Sequence, residues 1–265
     1  MSESQTYVLT LAYNGTNFAG FARQKDARVT TVQGELETAL ATVLRLPEPP
    51  QTVCAGRTDA GVHALGQVVS FDLDDPTAVA LIDSDTRQVL RSLGALTPES
   101  MSMLELSPAP SGFSARFDAV SREYRYRIVN RPAPPVFNAA FAWHVPQALD
   151  LEAMREAAGF LIGEHDFCSF CLAASATEDK NTVRTLSALD ITTEESLGEP
   201  LLVIRCVGNA FLHNMVRSIV GTLVEVGHGK RKPADLPDIL AARDRQAAGQ
   251  TAPAHGLVFH HVEWR

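Results

Sequence analysis

β-Branched and aromatic side chains crowd residues 6–13 (TYVLTLAY), a strand signal that stops at Asn14-Gly15, a strong turn pair. The spacing then changes. Thr30, Thr31, Val32 and Gln33 resemble a capping box, and Val32, Leu36, Ala39, Leu40, Val43 and Leu44 follow on one helical face. Residues 51–54 read as a short strand running into Gly56-Arg57-Thr58-Asp59-Ala60-Gly61, and residues 67–73 (QVVSFDL) as another. The pattern predicts a helix near 85–93, a break at Pro98 and an alternating strand over 101–106.

Beyond these, a strand is expected at 123–129 and a proline-rich loop at 131–135. Asp150 can cap a helix presenting Leu151, Met154, Ala158 and Leu161, with Gly163 to end it. A strand over 201–207 leads through Gly208-Asn209 into a helix over 210–226 whose apolar residues cover most of its circumference, the mark of a buried helix. A helix near 236–243 and a strand over 257–264 close the chain.

Strands and helices are interspersed in both halves and no fixed-period repeat is present, so an α+β protein of two domains fits best. Ser107-Pro108-Ala109-Pro110-Ser111-Gly112 packs poorly and reads as a linker, which places an N-terminal domain at 1–106 and a C-terminal domain at 113–265. With 265 residues, 45% hydrophobic and 20% charged, the chain can bury a substantial core, which excludes a disordered or fibrous class. No stretch approaches the roughly 18 uninterrupted apolar residues of a membrane helix, and Met1-Ser2-Glu3-Ser4-Gln5 lacks the features of a signal peptide. The expectation is a cytoplasmic protein without membrane association. Cys54, Cys168, Cys171 and Cys206 are too few to staple a chain of this size and suit a reducing compartment.

The net charge of −8 argues superficially against a polyanionic partner. Its distribution weakens that argument. Residues 1–110 carry 7 basic and 13 acidic side chains, whereas Arg116, Arg122, Arg125, Arg127 and Arg131 cluster within 116–131 against only Asp118 and Glu123. Exposed charges farther apart than about 8 Å are largely screened at physiological salt, so a local basic stripe counts for more than the average. The alternative is a solvated strand face.

Three places invite chemistry. A loop between two glycines projects Asp59, which reads either as a reactive carboxylate on a strand-end loop or as a solvated turn residue. Alternation along Glu123-Tyr124-Arg125-Tyr126-Arg127-Ile128 sets Tyr124, Tyr126 and Ile128 on one face and Arg125 and Arg127 on the other. One face suits base stacking and the other phosphates, unless the tyrosines belong to the core. On the apolar helix, His213, Arg217 and Gly221 recur every four residues as a narrow polar line; a buried arginine needs a carboxylate, and Asp59, Asp118, Asp166 and Glu225 all qualify. Cys168-Ser169-Phe170-Cys171, with His165 nearby, has metal-ligand spacing but lacks a second pair, so no metal site is expected. Walker, dinucleotide-binding and nucleophile-elbow motifs are absent.

Four motifs occur in an order that resembles the TruA family of tRNA pseudouridine synthases: Gly56 to Ala64 followed by Gly66-Gln67-Val68; Phe113-Ser114-Ala115-Arg116-Phe117 with Arg122-Glu123-Tyr124-Arg125-Tyr126; Asn209 to Arg217 with Ile219-Val220-Gly221; and Ala252-Pro253-Ala254-His255-Gly256-Leu257. The resemblance spans almost the whole chain. It implies two α+β halves, each on an antiparallel sheet, forming a central active-site cleft. It also implies isomerisation of uridine to pseudouridine in the anticodon stem-loop of tRNA by a homodimer, with no metal or organic cofactor. Asp59 would be the nucleophile acting on a flipped uridine. Tyr124 would stack on the uracil, Arg217 would pair with Asp59, and Arg57 would hold the extruded nucleotide. Arg23, Lys25, Arg116, Arg125 and Arg127 would meet RNA. One departure stands out: Gly20-Phe21-Ala22-Arg23-Gln24 occupies the place of the family's Gly-Trp-Gln-x-Gln, so a glutamine's hydrogen bonds are lost there, with Arg23 and Lys25 as candidate substitutes.

Overall fold

The structure is a computed structural model that describes residues 4–26, 28–172 and 181–264. It is an α+β protein with ten strands and six α-helices among the described residues. The chain divides into two compact units, Met1–Val120 with Phe259–Arg265, and Ser121–Val258.

In the first unit β1 (Gln5–Tyr13) pairs antiparallel with both β3 (His63–Leu73) and β4 (Met101–Ala109). The short β2 (Val53–Cys54) also pairs with β3, and β10 (Leu257–Trp264), most of which belongs to this unit, is the other neighbour of β3. Alternation along β1 buries Tyr7, Leu9, Leu11 and Tyr13, and Tyr7 lies opposite Phe71 with the rings stacked at 6.0 Å. Three helices cover the unit: α1 (Val32–Leu44), α2 (Pro76–Ser84) and α3 (Thr86–Leu96). Thr31 caps α1, accepting from the Gly34 amide, and Leu36, Leu40 and Leu44 are buried on its apolar face. Helix α2 was not expected, although Asp75 caps it and Pro76 opens it.

Residues 107–109, read from sequence as part of a linker, are the end of β4. Pro108 lies opposite Tyr7 and Ala109 opposite Thr6. β4 ends the strand order beyond β1, and an edge strand tolerates a proline that cannot donate to a ladder. The division between compact units falls at Val120/Ser121.

In the second unit β5 (Ala119–Asn130, within this unit from Ser121), β9 (Glu199–Gly208), β8 (Val183–Ser196) and β7 (Gly163–Asp166) pair antiparallel in that order. The sheet is not wholly antiparallel, because β6 (Trp143–Val145) runs parallel to the end of β5. The long loop over 131–142 supplies the crossover length a parallel neighbour requires. Helices α4 (Leu151–Gly159), capped by Asp150, and α5 (Met215–Gly227) pack together, and α6 (Leu236–Ala242) follows. α5 begins at Met215 rather than 210, because Asn214 adopts a left-handed conformation (φ 63°) that a right-handed helix does not continue through.

Candidate active site

The two groups of candidate residues lie in different units. In the first, Asp59 sits half-buried and Arg57 exposed on the loop between β2 and β3. Beneath it the Tyr13 hydroxyl is hydrogen-bonded to Thr58 Oγ1 at 2.7 Å and accepts from Gln67 Nε2 at 3.3 Å. The same Gln67 amide donates to the Gly56 carbonyl at 2.7 Å. Burial pushes the Tyr13 phenol far above its usual range, against the pull of the hydrogen bonds from Thr58 and Gln67, so the hydroxyl stays protonated.

Backbone contacts brace the loop further. The Phe21 amide donates to the Thr58 carbonyl (3.0 Å), the Gly61 amide to Phe18 (3.3 Å) and the Val62 amide to the Asp59 carbonyl itself (3.1 Å). Two glycines make this approach possible. A Cβ at Gly15 would stand 1.9 Å from the Val62 carbonyl oxygen, and Gly20, at φ +103°, backs onto Thr58 and Ala60. His63, buried, accepts the Gly15 amide on Nδ1 at 3.0 Å and so acts as a buttress. Asp59 is therefore held by a rigid frame, which is the requirement for a group that must meet a reacting atom in one geometry.

In the second unit Tyr124 is only 6% exposed and meets Phe211 edge-on, with ring centroids 5.0 Å apart at 79°. Tyr126 is fully buried and donates from its hydroxyl to the Pro253 carbonyl at 2.8 Å; burial drives its phenol far above the usual range, although the nearby Arg217 charge opposes the shift. Arg217 donates from Nε to the Ala252 carbonyl (2.7 Å) and from Nη1 to Asn214 Oδ1 (2.9 Å), while the Ala252 amide returns a bond to the Arg217 carbonyl (3.0 Å). The polar line expected on α5 does not form. His213 precedes the helix, and Gly221 serves close packing, since a Cβ there would lie 1.7 Å from the Gln250 carbonyl oxygen. The other carboxylates weighed as partners of Arg217 have their own: Asp166 pairs with Arg243 (3.0 Å), Glu225 with Arg231 (2.6 Å), and Asp118 accepts the Ser114 amide (2.7 Å).

The basic candidates differ in what holds them. Arg23 pairs at 2.8 Å with the buried Glu37, which also accepts from the Thr52 amide and hydroxyl, whereas Lys25 is exposed. Phe21 is buried beside Tyr13 and fills an aromatic position, with Ala22 next to it half-exposed. Glu123 bridges Arg125 (2.7 Å) and Arg205 (2.9 Å), and Arg205 also reaches Asp190 (2.9 Å). Burial lowers the Arg127 guanidinium against the opposing pull of Glu194. Arg116 lies over the Phe117 ring, 5.5 Å from its centroid.

The two cysteines of the C-x-x-C run donate to carbonyls, Cys168 to Arg243 (3.2 Å) and Cys171 to Cys168 (3.3 Å), and burial raises the Cys171 thiol. Among the described residues no three His, Cys, Asp or Glu side chains gather as metal ligands, and no helix is long and apolar enough to cross a membrane. Sequence reasoning missed Tyr13, Phe211 and Asn214 as supports. Tyr13 ends β1 on its buried face, a pattern that announces a core residue and says nothing of Thr58, 45 positions away.

Comparison with known proteins agrees with these motifs. A family model described as tRNA pseudouridine synthase matches residues 157–265. The chain is 49% identical over 252 residues to tRNA pseudouridine synthase A of Brevibacillus brevis, covering 95% of this chain and 96% of that protein. It is 44% identical to the protein of that name from Bacillus pumilus and 43% identical to that from Bacillus subtilis, each over 253 residues and 96% of both chains. With identity of this level running through both compact units, the chain belongs to the tRNA pseudouridine synthase A family.

Proposed function

We propose that this chain isomerises uridine to pseudouridine in the anticodon stem-loop of tRNA, with Asp59 as the nucleophile. In that reaction the C1′–N1 glycosidic bond breaks, the uracil turns and rejoins the ribose through C5, and the hydrogen on C5 leaves to solvent. The target uridine is flipped out of its stack at a cost of a few kcal/mol, which phosphate contacts must offset. Arg217 pairs with the Asp59 carboxylate in the tRNA-bound state. Tyr124 stacks on the uracil and assists proton removal from the detached ring. Arg57 holds the extruded nucleotide, and Arg23, Lys25, Arg116, Arg125 and Arg127 supply phosphate contacts. The working unit is a cytoplasmic homodimer whose two subunits both touch each tRNA, and the reaction uses no metal or organic cofactor.

The observation that carries this reading is the frame around Asp59. Tyr13, Gln67, Gly15 and Gly20 are committed to holding one carboxylate-bearing loop, more than a solvated turn aspartate needs. Tritium release from tRNA carrying 5-tritiated uridine tests it, in chelator-treated buffer, with wild type beside Asp59→Ala. Release by wild type and none by the variant, with tRNA binding retained, is the expected result. Equal release by both would remove Asp59 from the chemistry, and no release by folded wild type would leave a binding protein.

A further inference from the structure

The reading above leaves several exposed apolar side chains unused, and Phe117 is the most exposed of them. Phe117 is 79% exposed, whereas Phe18, Phe21, Phe71 and Phe259 of the same unit are buried and Phe113 is half-buried against Trp264. Its exposure is imposed by the turn that carries it. Ala115, fully buried, donates its amide to Ser70 Oγ (3.0 Å) and accepts Trp264 Nε1 on its carbonyl (3.3 Å). Phe113 packs on Trp264 with ring centroids 5.8 Å apart. The turn closes on itself beyond that anchor: Ser114 donates its amide to Asp118 Oδ2 (2.7 Å), Phe117 its amide to Ser114 Oγ (3.3 Å), and Asp118 its amide to the Ser114 carbonyl (3.1 Å). A flexible loop would fold such a ring away from water. This one is pinned on both sides and presents it.

The flanking chemistry selects the partner. Arg116 sits over the ring at 5.5 Å, so a π-face and a guanidinium are offered together. The group placed against the ring is the charged Arg116 guanidinium rather than an apolar side chain, and the Asp118 carboxylate is turned back to the Ser114 amide. An aromatic plane beside a cation is the combination that takes an unstacked base and its phosphate. We infer that Phe117 is a stacking platform for an unpaired nucleobase of the tRNA, distinct from the reacting uridine. The inference rests on the tRNA reading above and adds a binding residue to it.

The test is the dissociation constant for tRNA, measured across a range of salt concentrations for wild type, Phe117→Ala, Phe117→Leu, Phe117→Trp and Arg116→Ala. Loss of a stacking contact weakens binding roughly 5- to 150-fold. Phe117→Ala should show that loss at every salt concentration with an unchanged slope of log K against log salt, because stacking releases no counterions. Phe117→Leu should be nearly as weak, and Phe117→Trp should bind at least as well as wild type. Arg116→Ala should flatten the slope. An affinity of Phe117→Ala within twofold of wild type overturns the inference. Full rescue by Leu also overturns it, pointing to an apolar protein contact, as does dissociation of a dimer by Phe117→Ala in sedimentation. A chain that binds tRNA through Phe117 but releases no tritium fails the reaction reading alone; tritium release with Phe117-independent affinity fails this inference alone.

Discussion

The two faces of β5 carry residues three atoms of backbone apart and do opposite things. On one, Tyr124 and Tyr126 are dry, packed edge-on against Phe211 and Trp143, and Tyr126 is anchored to a backbone carbonyl. On the other, Glu123 gathers Arg125 and Arg205 into a charged network that Asp190 extends, and Arg125, Arg205 and Asp190 line a groove of about 530 Å³ together with Arg155 and Glu194. The dry face holds aromatic rings in one geometry, which is what a stacking and proton-transfer role requires. The charged face mixes both signs, so part of each guanidinium's attraction for phosphate is already directed inward. An arginine on a strand is thus no measure of affinity for RNA until its partners are known. Arg217 is held differently: a backbone carbonyl and an amide oxygen are among the groups that orient its guanidinium.

The comparison breaks first, and most heavily, at Tyr124. Tyr124→Phe keeps the ring against Phe211, so tRNA affinity should hold, while turnover by tritium release should fall about a hundredfold or more if the hydroxyl moves a proton. Unchanged turnover would reduce Tyr124 to a stacking residue. Next comes the packing of the dry face. A Cβ at Gly256 would come within 2.6 Å of the Tyr126 ring, whose hydroxyl is tied to Pro253, so Gly256→Ala should cost about 1–3 kcal/mol in chemical denaturation.

On the charged face the expected effect is smaller. Burial raises the Glu123 carboxyl, but the hydrogen bonds from Arg125 and Arg205 outweigh it and hold the group below its usual value of 4.5. A depressed carboxylate contributes stability that is complete above the unfolded value and is lost as pH falls through the folded one. Glu123→Gln should therefore lower stability by about 1–2 kcal/mol at neutral pH, with wild type and variant converging as acid denaturation proceeds below pH 4.5. The smallest effect belongs to Arg125→Ala. With its guanidinium partly directed to Glu123, the loss should be under about 1 kcal/mol in stability, and the salt slope of tRNA binding should drop by less than it does for Arg116→Ala. An equal drop would show that the ion pair opens when RNA arrives.

Much of the fold was legible because its signals are local. The Asn14-Gly15 stop of β1 and the Asp150 cap of α4 stand where the sequence placed them, whereas the capping box read over Thr30 to Gln33 is one residue off: Thr31 caps α1 through the Gly34 amide, and the Gln33 side chain turns to Glu37 and Thr52. What escaped has identifiable causes. β8 was missed because a register shift between Leu186 and Ala188 breaks the period-two pattern that would reveal a strand. The helix over 210–226 was drawn too long because its apolar spacing continues through Asn214, whose left-handed backbone leaves no trace in hydrophobicity. The linker reading of 107–112 rested on proline and serine content, which an edge strand also tolerates. For the candidate site, the motifs named Asp59, Tyr124 and Arg217, and the alternation of β5 assigned its faces, but the frame under Asp59 was invisible.

Short-range periodicity and turn chemistry, which depend on neighbours a few positions apart, already specified most elements, which residues share a face of β5 and the loop that carries Asp59; that the tyrosine face is dry came only from the packing. The partners of each polar group depend on residues brought together from afar: Tyr13 with Thr58 and Gln67, Glu123 with Arg205, Ser70 with Ala115. Hydrogen bonds and ion pairs act only over a few ångströms, so which carboxylate quiets which arginine, and which phenylalanine is left facing water, follows from how the chain packs and from no pattern along it.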